Sequence, residues 1–97
     1  MTEKQVIEEI ISYSRMSFDR MLVPGTSGNV SMRFEDKVYV TATNTCLGDL
    51  TPEDIVVCDL EGNLIRGTAR PSKETGLHLL VYQKRPEAAC VAHLHPT

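Results

Sequence analysis

The sequence predicts an α/β domain whose sheet is at least partly antiparallel. The 97 residues are 41% hydrophobic and 24% charged, which is typical of a globular chain with room for one domain. Apolar residues follow a helical period near the start and again after residue 71, whereas residues 25–63 show short β-branched runs separated by turns. The order of helix, hairpin-linked strands, helix and strand favours a layered α/β architecture.

The first predicted element is an amphipathic helix over residues 2–22. Thr2 followed by Gln5 has the pattern of a capping box, and Pro24 with Gly25 predicts the end of the helix. The residues predicted to form the buried face recur at helical spacing: Val6, Ile7, Ile10, Ile11, Ser14, Phe18, Met21 and Leu22.

Short strands are predicted next. Residues 30–34 and 38–41 are rich in strand-forming side chains, and Glu35 with Asp36 between them predicts a hairpin turn. The remaining elements of this stretch are a single helical turn over 51–54, a buried strand over 55–58 and a turn over 61–63.

A second helix and a last strand complete the predicted fold. Pro71 and Ser72 open a helix that runs to about Lys84, and residues 89–95 form an apolar strand. The predicted apolar stripe of this helix consists of Leu77, Leu80 and Val81.

Charge, hydropathy and cysteine usage argue against several classes of protein. Ten Lys and Arg against thirteen Asp and Glu give a net charge of −3, which argues against nucleic acid or an anionic membrane as a partner. Neither an apolar run long enough for a membrane helix nor an uncharged signal-peptide core is present. Cys46, Cys58 and Cys90 are too dispersed for a disulfide framework and are interpreted as free thiols used in packing. We therefore expect a cytoplasmic protein.

The most specific chemical feature is His93-Leu94-His95 on the last predicted strand. Alternate residues of a strand share a face, so the two imidazoles lie roughly 6–7 Å apart and can bind one metal ion. A catalytic zinc takes three protein ligands, so two histidines do not complete a site. The alternative is that one histidine packs on the core and the other caps the sheet edge.

Glu74 and His78 are the second pair of candidates. Glu74 lies in the first turn of the second helix, where the helix dipole favours a carboxylate in any case. It is alternatively a third metal ligand or a general base. His78 follows on the same helical face, and a structural, buried role is favoured for it over a ligand role.

Three small polar segments are candidate anion sites. Residues 25–31 combine glycines with Thr, Ser and Asn, which can direct backbone N–H groups and neutral donors toward a phosphate. Residues 41–45 form a second such segment, and residues 71–73 place a hydroxyl and a cation at a helix N-terminus. The alternative for each is an ordinary turn.

Taken in order, these segments resemble the class II aldolase/adducin family, the group around L-fuculose-phosphate aldolase and L-ribulose-5-phosphate 4-epimerase. The matching stretches are Gly25-Thr-Ser-Gly-Asn-Val-Ser31, Thr41-Ala-Thr43, Leu50-Thr-Pro-Glu-Asp-Ile55, Pro71-Ser-Lys-Glu74 with His78 and Tyr82, Arg85-Pro86, and Ala92-His-Leu-His95. The resemblance implies a three-layer α/β/α fold with a largely antiparallel central sheet, in a homotetramer.

The resemblance also implies roles for individual residues. His93 and His95 would be two of three zinc histidines, and Glu74 would be the catalytic acid/base, also able to contact the metal. His78 matches a family position outside the metal site. The positions implied to bind the substrate phosphate are Gly28, Asn29, Thr43, Asn44, Ser72 and Lys73.

The implied reaction is zinc-dependent retro-aldol cleavage of a phosphorylated ketose through a metal-stabilised enediolate. Asn44 replaces a usual glycine, and Lys73 replaces the second serine of the usual Ser-Ser-Glu. The Ser-Lys-Glu form resembles the branch of 3-oxo-tetronate 4-phosphate decarboxylases, so decarboxylation or 4-epimerisation is the alternative reaction. An adducin-like assembly module without activity, or an inactive fragment, is the alternative outside enzymes.

Length is the main departure from the family pattern. The third zinc histidine of the family lies well downstream of the H-x-H, and this sequence ends at Thr97. We therefore expect residues 1–97 to be a single, truncated domain corresponding to the N-terminal part of the family fold. Its expected partners are a phosphorylated sugar or sugar acid and further copies of the same subunit.

Overall fold

The computed structural model describes residues 2–20, 28–42, 45–67, 75–85 and 87–93. In chain order, the elements are α1 (Glu3–Asp19), β1 (Asn29–Phe34), β2 (Lys37–Thr41), a 3-10 turn (Pro52–Asp54), β3 (Ile55–Asp59), β4 (Leu64–Arg66), α2 (Thr75–Lys84) and β5 (Cys90–His93). The strands form one sheet in the order β4-β3-β2-β1-β5, and every pairing between described neighbours is antiparallel.

The start of α1 confirms the predicted capping box. The backbone N–H of Gln5 donates to the Thr2 hydroxyl at 3.2 Å, and the backbone N–H of Thr2 donates to the Gln5 side chain at 2.7 Å. Both bonds satisfy N–H groups that have no partner within the helix. The helix ends at Asp19, three residues earlier than predicted, and the predicted stop at Pro24 and Gly25 lies outside the described residues.

The predicted hairpin between the first two strands is confirmed. Phe34 pairs with Lys37, so only Glu35 and Asp36 form the turn. Glu35 has a φ of 59°, the left-handed conformation that tight two-residue turns require.

Strand β4 was not predicted from the sequence. Its three residues are all exposed, so they carry no alternation of buried and exposed side chains that would indicate a strand. The turn before it is held by the Asp59 carboxylate, which accepts hydrogen bonds from the backbone N–H groups of Glu61 and Asn63, both at 2.9 Å. These bonds and a third from the Asn63 side chain lower the pKa of Asp59.

The sheet is covered by one helix on each face. On the α1 face, the core residues are Val6, Ile10, Val30, Tyr39, Leu47, Leu50, Ile55 and Val57. On the other face, α2 contributes Leu79 and Tyr82, which pack on Val38. This three-layer α/β/α arrangement with an antiparallel sheet is the one expected from the sequence.

The predicted apolar stripe of α2 is wrong. Leu77 and Leu80 are 45% and 49% exposed, whereas His78, Leu79 and Tyr82 are buried. The reason is that the polar tips of His78 and Tyr82 hydrogen-bond to a buried serine of β1, so these side chains and not the leucines turn toward the sheet.

No helix among the described ranges is long and apolar enough to cross a membrane. The three cysteines are free thiols, as predicted. Cys58 is buried in the sheet, but Cys90 is exposed and does not have the packing role expected for it.

Candidate functional site

The pairing of β1 with β5 brings a predicted phosphate-binding residue next to a predicted metal ligand. Asn29 and His93 are Cα partners in this antiparallel pair. Directly opposed residues in such pairs have Cα atoms about 4.5–5.5 Å apart. Two positions far apart in the chain therefore meet at the start of β1 and the end of β5.

Gly28 places Asn29 at the entrance to β1. Its φ of 87° lies in the region that favours glycine over every residue with a Cβ atom. A glycine at position 28 therefore allows the turn by which the chain enters β1.

The Asn29 side chain is held by α2. Asn29 is only 4% exposed, and its Oδ1 atom is hydrogen-bonded to Nε2 of the fully buried His78. This contact confirms the structural, buried role that was favoured for His78. It also makes His78 a direct neighbour of a candidate substrate-binding residue.

The other ring nitrogen of His78 is hydrogen-bonded to a buried serine of β1. Nδ1 lies 2.6 Å from the Ser31 hydroxyl, which lies 2.8 Å from the Tyr82 hydroxyl. Burial raises the pKa of Tyr82 to about 12. Tyr82 therefore stays protonated near neutral pH. The network consists of Asn29, Ser31, His78 and Tyr82, and it joins β1 to α2.

This network was not predicted from the sequence, although all four of its residues lie in the motifs that resemble the family. Two signals were available. Asn29 and Ser31 alternate on one strand and so share a face, and His78 and Tyr82 are four apart on one helix and also share a face. Nothing in the sequence shows that the two faces pack on each other.

The end of β2 is hydrogen-bonded to the start of β1. The Thr41 hydroxyl accepts a hydrogen bond from the backbone N–H of Val30 at 3.2 Å, next to Asn29. The Ala42 N–H donates to the carbonyl of Asp54 at 2.8 Å, which fixes the chain where β2 ends. The predicted phosphate segment at 43–44 follows directly but lies outside the described residues.

Several predicted site residues cannot be placed relative to Asn29. Thr43, Asn44, Ser72, Lys73, Glu74 and His95 all lie outside the described ranges, and for His93 only the backbone is described. In the described part of the chain, no three His, Cys, Asp or Glu side chains come together as a metal site. The predicted ligands, two imidazoles and a carboxylate, are nevertheless a donor set that suits zinc. The backbone of His93 lies opposite that of Asn29 in the sheet.

A second polar cluster lies apart from these residues. The Tyr39 hydroxyl donates to the Glu3 carboxylate at 2.8 Å, and the Arg66 guanidinium forms an ion pair with the same carboxylate. The Tyr39 and Arg66 contacts lower the pKa of Glu3, and burial together with Glu3 raises the pKa of Tyr39 to about 12. This cluster fastens the start of α1 to β2 and β4. No role was predicted for Arg66.

An apolar groove of about 370 Å³ lies on the opposite face from Asn29, between α1 and the β1–β5 edge. Its main lining residues are Ile10, Tyr13, Met16, Val30, Met32 and Cys90. Because Val30 and Met32 alternate with Asn29 and Ser31 along β1, the groove is separated from the candidate site by the sheet.

Comparison with known sequences identifies a family for this chain. Residues 8–97 match the family described as Class II Aldolase and Adducin N-terminal domain. The chain is 42% identical over 89 residues to an L-fuculose phosphate aldolase of Methanococcus maripaludis, covering 92% of this chain and 48% of the relative. It is 41% identical over 98 residues to a 3-oxo-tetronate 4-phosphate decarboxylase of Haemophilus influenzae, covering 100% of this chain and 46% of the relative. The chain thus spans about half the length of these relatives.

Solved structures show the same architecture. An L-fuculose 1-phosphate aldolase superposes with a TM-score of 0.92 at 31% identity, over 100% of this chain and 47% of that structure. The L-fuculose-1-phosphate aldolase from Thermus thermophilus superposes with a TM-score of 0.82 at 26% identity, over 97% of this chain and 48% of that structure. The class II aldolase-like fold expected from the sequence is confirmed.

Proposed function

The chain belongs to the class II aldolase and adducin family, and we propose that it forms the N-terminal part of a zinc-dependent lyase that cleaves a phosphorylated ketose by a retro-aldol reaction. The observation that carries this proposal is the pairing of Asn29 with His93. It sets a candidate phosphate-binding residue beside a candidate metal ligand, as a reaction on a small phosphorylated sugar requires.

The phosphate would be bound by neutral donors around the start of β1. Gly28 has the left-handed backbone that allows close approach, and Asn29 offers a side-chain amide. The other proposed contributors are Thr43, Asn44, Ser72 and Lys73. Of these, only Lys73 brings a positive charge, so most of the binding would come from directed hydrogen bonds.

His93, His95 and Glu74 would hold the metal, with a further histidine from a segment downstream of this sequence. When bound, zinc supplies positive charge that stabilises negative charge on the substrate oxygens. Glu74 would act as the acid/base and return a proton to the substrate carbon at which the bond breaks. Glu74 directly precedes Thr75, the first residue of α2, so the N-terminus of that helix would favour the ionised carboxylate.

Decarboxylation of a 3-oxo acid phosphate is the second candidate reaction. It is favoured by the Haemophilus influenzae relative, whose match extends over the whole chain, and by the Ser-Lys-Glu motif at 72–74. The same phosphate and metal groups would serve both reactions, because each leaves negative charge on oxygens next to the broken bond. Epimerisation at C4, as in the 4-epimerases of the same family, is the third candidate reaction.

The natural protein is proposed to be longer than these residues and to assemble as a homotetramer in the cytoplasm. The relatives are about twice as long as this chain, which supports the proposal of a longer natural protein. The free cysteines are compatible with a reducing compartment. An adducin-like module without activity is the competing outcome.

The test is an assay of the full-length protein with zinc and a panel of phosphorylated ketoses and 3-oxo acids, repeated after chelation. We expect turnover that is lost on chelation and restored by zinc. Glu74→Gln should abolish it, while Glu53→Gln, at an exposed residue of the 3-10 turn, should leave it intact. Absence of turnover across the panel would contradict the proposal and favour the assembly module.

A further inference from the structure

The amide of Asn29 has an acceptor end and a donor end, and the structure assigns a partner to one of them. Oδ1 is hydrogen-bonded to Nε2 of His78. A carbonyl oxygen only accepts, so Nε2 must carry the hydrogen. The donor end, Nδ2, is then the part of the side chain that can serve a ligand.

The rest of the network agrees with this direction. In a neutral imidazole with hydrogen on Nε2, Nδ1 is an acceptor, so the Ser31 hydroxyl donates to it across 2.6 Å. The Ser31 oxygen in turn accepts from the Tyr82 hydroxyl at 2.8 Å.

With Oδ1 of Asn29 as the acceptor, the hydrogen bonds point one way, from Tyr82 through Ser31 and His78 to that oxygen. We infer that His78 is a positioning residue that holds the Asn29 amide with Nδ2 directed to the phosphate of the substrate. An ionised phosphate only accepts hydrogen bonds, so the reverse orientation would set Oδ1 against a phosphate oxygen. This inference rests on the proposed function, because it takes the ligand at Asn29 to be a phosphate.

The first measurement reads the hydrogen position directly on the wild-type chain. Nitrogen-15 chemical shifts of the His78 ring distinguish a protonated from an unprotonated nitrogen. We expect the hydrogen on Nε2 and none on Nδ1. The opposite pattern would mean that the amide is reversed and that Nδ2 is bound to His78, which would overturn the inference.

The second measurement uses two substitutions that separate the bonds of His78. The amide nitrogen of Gln extends about as far as Nε2, so His78→Gln keeps a donor for Asn29. Asn extends only about as far as Nδ1, so His78→Asn keeps a partner for Ser31 and loses the bond to Asn29. Each variant therefore loses one of the two hydrogen bonds of His78. Urea unfolding checks that the two variants have the same free energy of unfolding.

The probe is inorganic phosphate, titrated into each chain while the Asn29 side-chain resonances are followed. We expect His78→Gln to bind within about threefold of wild type and His78→Asn to bind roughly tenfold or more weakly, the range of one hydrogen bond to a charged group. Equal affinity of the two variants, with phosphate bound by wild type, would overturn the inference and leave the proposed function intact. Absence of phosphate binding by wild type, with the expected ring shifts, would instead overturn the phosphate assignment itself.

Discussion

Asn29 on β1 and His93 on β5 face each other as Cα partners at one end of the antiparallel pair. Their pairing places a phosphate candidate and a metal candidate on adjacent strands. The buried network behind Asn29 gives the amide a fixed direction.

Replacing the amide of Asn29 by a carboxylate should remove phosphate binding. Asn29→Asp keeps the oxygen that His78 contacts but turns the donor end into a negative acceptor. We predict that phosphate affinity falls by more than about tenfold, because one hydrogen bond is lost and a repulsion is added. Titration with inorganic phosphate measures this. Asn63→Asp, the same change in the exposed turn before β4, should leave the affinity unchanged, and equal losses in both variants would contradict the site.

A methyl group at Gly28 should be costly, whereas one at Gly76 should be tolerated. Gly28 has a φ of 87°, so alanine there is strained by about 1–2 kcal/mol. Gly76 lies within α2, and a Cβ atom there meets nothing within 4 Å. Gly76→Ala should therefore stabilise the chain by roughly 0.5–1 kcal/mol through helix propensity. Urea unfolding of both variants tests the contrast. A Gly28→Ala variant as stable as Gly76→Ala would show that the backbone of residue 28 is not left-handed.

Two buried serines should respond to alanine in opposite ways. Ser31 is bonded to both His78 and Tyr82, so Ser31→Ala leaves two buried polar groups without this partner, at about 1–3 kcal/mol each. The hydroxyl of Ser14 on α1 is buried and has no hydrogen-bond partner in the described structure. Ser14→Ala should be neutral or stabilising, since alanine also favours the helix. Equilibrium unfolding measures both changes, and a Ser31→Ala variant no less stable than Ser14→Ala would contradict the network.

Stability should fall at both ends of the pH range through the Glu3–Tyr39–Arg66 cluster. The folded-state pKa of Glu3 is lowered by Tyr39 and Arg66, so its contribution is present above the usual value of 4.5 and is lost as pH falls through the folded pKa. The pKa of Tyr39 is raised to about 12, so its contribution is present below 10.0 and is lost as pH rises toward 12.

Urea unfolding as a function of pH separates these two limbs. Glu3→Gln should flatten the acid limb. Tyr39→Phe should reduce the slope of the alkaline limb, which Tyr82 shares because its pKa is also raised to about 12. Tyr13→Phe is the matched control, because Tyr13 is 53% exposed, and it should not change the alkaline slope. A Tyr39→Phe profile identical to that of Tyr13→Phe would show that Tyr39 is not buried against Glu3.

Local patterns predicted the elements that depend on local physics. The capping box at Thr2 and Gln5 and the two-residue turn at 35–36 involve bonds between near neighbours, and both were found as expected. The apolar stripe of α2 was wrong because tertiary hydrogen bonds to Ser31 outweigh the hydrophobicity of two leucines. Local sequence patterns contain no information about which strand a helix packs against.

The residues of the candidate site could be predicted from the sequence, but the contacts between them could not. The sequence named Asn29 and His93 separately, and the family resemblance gave both a role. Only the sheet register shows that they are opposed. The bond from His78 to Asn29 joins residues of α2 and β1, and no spacing within either element predicts it.

The most direct test of the central claim is whether a metal binds beside Asn29. Titration of the chain with Co²⁺, a paramagnetic substitute for zinc, can be followed on two side-chain amides. Asn29 lies on β1, next to the edge strand β5, and Asn63 precedes β4, the strand at the opposite edge. We predict that Asn29 broadens or shifts strongly, that Asn63 does not, and that His93→Ala abolishes the effect. An Asn29 amide that is no more affected than Asn63, or an effect that persists in His93→Ala, would contradict a metal site at the end of β5.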